Sequence, residues 1–496
     1  MPSKLIYYND ARHYYLYVFE PPMSMEDAWR PVDEVLGTSV TTLSYGVERE
    51  DGIFYPSKKT VQFGEDRRPF KGESLEWRAW KNMKSLEAKG LDPLQVLIDR
   101  AHDKGLEFMA SLRMANWGGL DKSLKIDMPE GRANYSNREV RQHILGVLTE
   151  LANDYDIDSL EMDFAFVPYY FHPDEAKENV GIMTELVESV REMIAKSNNK
   201  NLQLGARILP TEETNINGGL DPRTWIKSGL VDFLMPMWYQ VFELDPDMPL
   251  DWVIQLSKHT DVEIYGMLMP YKIQEGRRSL FGQWLNASPE MMNAAASNFY
   301  DKGVDGLCTW FMKWPLGDNE RSTLSNIGDR ELLKYSNKHY VVRRNEDGGD
   351  PEYNKHGMSA SNLGYTSSLP LEIKYDDLGQ SKDIQFYLSD DFESSSEILN
   401  QITLKLQFKD IVSEDELLIK LNGKSLNAQP CIRDYANVTS PYQGQWLNFD
   451  LMNLKPIKGQ NILELTLISR PDELEGDILL EDVELTVKYG SYPSSL

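Results

Sequence analysis

Up to about residue 336 the chain alternates apolar, strand-like runs with amphipathic, helix-like segments, and it does so eight times. The strand-like runs are residues 14–20, 40–47, 107–114, 157–164, 202–209, 231–239, 262–269 and 304–311. Helical periodicity lies between them at residues 75–89, 93–104, 137–155, 174–197, 222–228, 250–259, 289–302 and 319–335. A further helix is opened by the capping-type Ser24-Met25-Glu26-Asp27, and Gly90 supplies a helix stop. Near-continuous apolar strands separated by helices imply a parallel sheet covered on its faces. Eight such units predict a (β/α)₈ barrel. An open doubly wound sheet is the competitor, but no glycine-rich phosphate-binding turn follows any strand.

The period changes after the eighth unit. Residues 337–368 read as an irregular lead-in, since 344–368 hold Gly, Asn, Asp, Ser and Pro without a regular apolar period. From 369 to 496, alternating runs at 384–388, 402–408, 417–421, 446–451, 462–468 and 483–487 predict an antiparallel β-sandwich. The expected organisation is therefore an α/β barrel over 1–336, a lead-in over 337–368 and an all-β sandwich over 369–496.

Composition narrows the classes of function. The formal net charge of −26 repels nucleic acid and anionic membrane, so neither is expected as a partner. No run approaches the roughly 18–20 apolar residues of a membrane span. The segment after Met1 lacks the apolar core of a secretion signal, so a cytoplasmic location is expected unless such a signal has been removed. Two cysteines, Cys308 and Cys431, are too few for a disulfide scaffold or a cysteine-based metal cluster.

The fourth strand-like run holds two acids, Glu161 and Asp163. Strand alternation places both on one face, with Leu160, Met162 and Phe164 on the other. A charge on a buried strand is costly unless paired, so two acids there suggest a site. Barrel active sites lie at the C-terminal ends of the strands. Those ends supply Glu20, Glu48, Arg113, Asn116, Trp117, Arg207, Trp238, Tyr239, Tyr271, Glu275 and Trp310. Acids, arginines and aromatics fit sugar chemistry: flat rings stack on pyranose faces and carboxyl groups supply acid, base or nucleophile. No histidine cluster has metal-ligand spacing and no serine sits in a nucleophile elbow, so no metal or cofactor is expected.

Asp163 is the foremost catalytic candidate, with Glu161 as its partner and Glu275 as a second carboxylate. The plainer reading of Asp163 and Glu161 is structural ion pairing with Arg113 or Arg207 inside the barrel; Glu20, Glu48 and Glu275 are each a possible second carboxylate, and their plainer reading is a solvated loop acid. Glu20, Glu48, Arg113, Asn116, Trp117, Arg207, Trp238, Tyr239, Tyr271 and Trp310 are candidate substrate contacts. Their plainer reading is solvated loop acids and rim packing. Two other classes of function stay open: a carbohydrate-binding barrel without catalysis, and a metal-dependent lyase or isomerase.

Residues 157–171, with Ser44-Tyr45-Gly46, Phe54-Tyr55-Pro56-Ser57-Lys58, Gly90-Leu91-Asp92-Pro93, Ser111-Leu112-Arg113-Met114 and Gly219-Leu220-Asp221-Pro222-Arg223-Thr224-Trp225, carry a resemblance. They resemble glycosyl-hydrolase-like barrel proteins of polysaccharide-degrading bacteria, similar to the glycosyl hydrolase-like family 10 group. The resemblance implies a carbohydrate-active barrel with its key acid at Asp163 and does not fix the substrate; Arg113 and Arg207 suggest a glycan bearing anionic groups such as sulfate or carboxylate. The strand also looks like a worn chitinase-type family 18 signature, matched in spacing by Asp158, Glu161 and Asp163. Ala165 stands where that family has its catalytic acid, so that mechanism is not expected.

Overall fold

The computed structural model describes residues 3–10, 15–49, 52–72, 74–115, 118–127, 132–166, 169–238, 243–273, 284–344, 365–435 and 444–490. Eight parallel strands close on themselves: β1 (Lys4–Asp10), β2 (Thr42–Gly46), β3 (Glu107–Arg113), β4 (Ser159–Asp163), β5 (Gln203–Ile208), β6 (Phe233–Pro236), β7 (Glu263–Leu268) and β8 (Gly306–Thr309). Each pairs with its neighbours in sequence, and β8 pairs back onto β1. The predicted barrel is therefore present.

Local chemistry sets the helix ends. Ser24 and Asp27 form a reciprocal capping box at the start of Met25–Asp33. Asp92 caps Pro93–Asp103 by accepting from the backbone N–H of Leu94 and Gln95. Pro289–Lys302 opens on Ser288 and closes at Gly303, whose φ of 106° is one that L side chains rarely adopt.

Two expectations need correction. Residues 14–20 are not the first strand: Tyr15–Val18 is one helical turn, and β1 lies ten residues earlier in register terms, at Lys4–Asp10. The run expected as one closing helix is two, Asp318–Asn326 and Arg330–Lys334, because Asp329 caps a fresh start.

After the barrel in sequence come β9 (Lys338–Val341), β10 (Leu371–Ile373), β11 (Ser381–Leu388), β12 (Leu399–Lys409), β13 (Glu416–Leu421), β14 (Cys431–Tyr435), β15 (Gln445–Asp450), β16 (Gly459–Ser469) and β17 (Ile478–Tyr489). One sheet runs β9-β17-β12-β15-β14, with β10 also on β17; the other holds β11-β16-β13 and the short strand Lys424–Ser425. Alternation along β12 buries Ile402, Leu404, Leu406 and Phe408 and turns Thr403 and Lys405 outward. β9 falls inside the stretch read as a lead-in, and it pairs antiparallel with β17.

The barrel and the sandwich have separate apolar cores. The helix Pro289–Lys302 joins them, since its Ala294 packs into the sandwich core. No helix among the described residues is long and apolar enough to cross a membrane.

Candidate active site

Register brings the strand-end residues together. In parallel neighbours, paired residues face the same side, so Arg113 on β3, Asp163 on β4 and Arg207 on β5 form one inward row. One layer below, Ser111 aligns with Glu161, and Glu161 with Gly205. The expected common face of Glu161 and Asp163 is thus the interior of the barrel.

Arg207 holds both acids. Its Nη1 lies 3.2 Å from Asp163 Oδ2 and its Nη2 donates to Glu161 Oε2 at 2.9 Å. Its Nε is 2.7 Å from Glu161 Oε1, an ion contact that lacks hydrogen-bond alignment. Asp163 Oδ1 also accepts the backbone N–H of Ala165 at 3.0 Å and of Phe166 at 2.9 Å. Glu161 Oε2 accepts from Ser44 Oγ at 3.3 Å. All three charged side chains are 0% exposed.

Burial drives the electrostatics. It pushes the Glu161 carboxyl up from 4.5 to about 7, with Arg207 pulling it down and Asp163 pushing it further up. The Arg207 guanidinium resists burial because the Glu161 and Asp163 charges raise it. Cys308 lies in the same interior, and burial holds its thiol well above the ordinary range.

A second pair sits beside the first. Asp10, the last residue of β1, is ion-paired through Oδ2 with Arg113 Nη2, and both are buried. Glu48 is also buried, and its Oε1 accepts the backbone N–H of Arg113 at 2.8 Å. The Arg113 guanidinium lies 3.8 Å from the centre of the Phe166 ring. Asp10 is not among the strand-end residues read from the sequence, because the first strand is expected there at residues 14–20. Its signal was the polar Asn9-Asp10 directly after the apolar Leu5-Ile6-Tyr7-Tyr8.

Other candidates lie elsewhere. Glu20 is not at a strand end: it is exposed, and Arg78 Nε lies 2.5 Å from its carboxylate. Trp310 does not present an open platform. It is buried, stacked on Tyr8 at 4.4 Å with a 28° interplanar angle. The Arg207 guanidinium covers these rings, 4.2 Å from Tyr8 and 5.6 Å from Trp310. Trp238 is buried against Tyr365, with ring centres 5.8 Å apart. Tyr271 is partly exposed, and its hydroxyl donates to the Phe311 carbonyl at 3.4 Å. Asn116, Trp117, Tyr239 and Glu275 lie outside the described residues.

The turn after β4 is strained. Tyr169 has φ 93°, an unusual backbone for an aromatic residue, and such strain concentrates at functional sites. Among the described residues, no three His, Cys, Asp or Glu side chains converge in a group that could hold a metal ion. Cavities of 310 and 480 Å³ lie at the junction with the sandwich, away from these acids.

No protein-family model and no curated protein sequence matches the chain. Solved structures with similar architecture include the endo-beta-1,4-mannanase from Thermotoga petrophila, with a TM-score of 0.47, 11% identity and 97% of each chain covered. The PgaB (BpsB) glycoside hydrolase domain from Bordetella bronchiseptica gives 0.45 at 11% identity, over 66% of this chain and 99% of that one. A cycloisomaltooligosaccharide glucanotransferase from Paenibacillus sp. gives 0.34 at 10% identity, and this chain spans 97% of its own length but only 57% of that protein's. Nothing about chemistry follows from likeness at this level.

Proposed function

We propose that the chain is a glycoside hydrolase that cleaves a polysaccharide or oligosaccharide at the C-terminal mouth of its barrel. The observation that carries this reading is the unlike environment of two neighbouring carboxyl groups. Glu161 is pushed up to about 7 and can exchange a proton at neutral pH, whereas Asp163 accepts from two backbone amides and Arg207. Carboxyl groups in unlike environments are what glycosidic cleavage uses.

In this reading Asp163 is the catalytic carboxylate, Glu161 tunes it, and the second carboxylate comes from another strand end. Asp10 joins Glu48 and Glu275 as a candidate for that role, because Asp10 and Glu48 both lie buried around Arg113. Arg113 and Arg207 are each paired with internal acids, which supports a neutral glycan over an anionic one. Asp163 has no accessible surface and is held by the Ala165 and Phe166 N–H groups, so substrate contact requires a rearrangement around it.

That closure also favours a second reading, a barrel that binds carbohydrate without cleaving it. A glycan-library screen of the wild type beside Asp163→Asn separates the two. Hydrolysis predicts release of reducing ends, lowered about 10²–10⁴-fold by the substitution. Glycan binding without release supports the second reading. Release that survives Asp163→Asn unchanged removes Asp163 from the mechanism.

A further inference from the structure

The sandwich touches the barrel at the loops that follow β6 and β7. After β7 the chain forms a hairpin, with Tyr271–Ile273 paired antiparallel to Trp284–Asn286. Successive residues of a strand face opposite ways, so Tyr271 and Lys272 point to different partners. Tyr271 reaches the Phe311 carbonyl just beyond β8. Lys272 instead points at the sandwich, where its Nζ is ion-paired with Glu484 of β17.

This pair is built rather than incidental. Both residues are buried, and Glu484 also meets His339 Nε2 at 2.9 Å and Lys405 Nζ at 3.5 Å. In spite of burial, Lys272 and His339 hold the Glu484 carboxyl well below the ordinary carboxylate range. A second set of ties runs beside it. The Leu244 N–H donates to the Tyr271 carbonyl at 2.7 Å. Asp245 meets Arg343 Nε at 3.3 Å and accepts from the Tyr365 hydroxyl, and Tyr365 packs on Trp238.

We infer that Glu484 of the sandwich is a positioning residue of the barrel mouth, acting through Lys272 to hold the hairpin so that Tyr271 faces the end of β8. The sandwich would then be part of the wall around the site, and Tyr271 a substrate contact whose placement depends on it. The substrate half of this inference rests on the glycoside hydrolase reading, and the mechanical half does not.

The test uses the full chain as wild type, Lys272→Met, Glu484→Gln and the double variant, with Lys272→Arg as the conservative control. The first readout is amide exchange at Leu244 and Ala287, whose N–H groups donate to the Tyr271 and Pro270 carbonyls. Each single variant is expected to exchange at least about 10-fold faster there, with the double no faster than the singles and β4 unchanged. The second readout is turnover of whichever glycan the wild type cleaves. Lys272→Met is expected to raise KM about 10-fold with kcat within about 2-fold, and Lys272→Arg to restore it. Unchanged exchange at both amides overturns the inference, as does faster exchange with unchanged KM. A wild type that cleaves no glycan sinks the functional reading, while the exchange comparison still decides whether Glu484 holds the hairpin.

Discussion

Arg207 is one cation shared by two carboxylates, all three without accessible surface. Three buried charges of this kind are tolerable only as a set, because removing any one leaves the others uncompensated. Glu161 is the member that titrates. Burial raises it to about 7 in the folded chain from an ordinary 4.5, so the folded state binds the proton more tightly. Its stabilising contribution is complete below 4.5, where both states are protonated, and is lost as pH rises through about 7. Over that window stability falls by up to about 1.4 kcal/mol per pH unit. Glu161→Gln removes this slope. Urea midpoints measured across the window should therefore show the wild-type advantage over Glu161→Gln shrinking as pH rises. A pH-independent difference would mean that Glu161 titrates as an ordinary glutamate.

The strands show what the sequence could and could not reveal. Seven of the eight barrel strands overlap the runs read from apolar periodicity, since a strand covered on both faces announces itself as a continuous apolar stretch. The first did not, because Tyr14 to Glu20 is as aromatic and β-branched as a strand. Short apolar runs of this kind do not distinguish strand from helix. The error moved the strand end from Asp10 to Glu20 and hid one acid of the site. By contrast, the shared face of Glu161 and Asp163 was legible, because alternation is local. That one guanidinium would bridge both was only half legible: Arg207 was an expected partner, but register across β4 and β5 decides it. Register also explains a glycine. A Cβ on Gly205 would lie 2.0 Å from the Phe233 ring, which fills the barrel interior beside it. Gly205→Ala should destabilise the barrel by about 1–3 kcal/mol through overpacking. Adding Phe233→Leu should recover part of that loss, measured as a thermal-denaturation cycle. Additive effects in the double variant would refute this account of the contact.

At the scale of the molecule, the period of the sequence changes near residue 337, where the residues read as an irregular lead-in. That stretch holds β9, whose four residues pair with Glu484 to Val487 far along the chain, a partner that no local pattern reveals. Nor does the change of period show how the two cores are joined. Asn298, on the helix they share, is fully buried between them. Its Nδ2 donates to the Pro246 carbonyl at 3.0 Å and to the Tyr387 carbonyl at 2.9 Å, and its Oδ1 accepts the Ser389 N–H at 2.9 Å. Asn298→Ala strands three backbone groups and should cost about 1–3 kcal/mol. Calorimetry should show a lower transition for the variant, and an unchanged one would mean that the joint does not depend on this side chain.

The larger sandwich sheet ends at β14, where every residue of Cys431–Tyr435 is exposed. Unpaired N–H and C=O groups along such a margin are a template for a strand from another copy. Ile432 and Tyr435 would make that pairing adhesive, at 71% and 81% exposure. Arg433 and Asp434 stand between them, a cation and an anion side by side. Charge at this margin, with the strong overall negative charge of the chain, opposes such edge-to-edge pairing between copies.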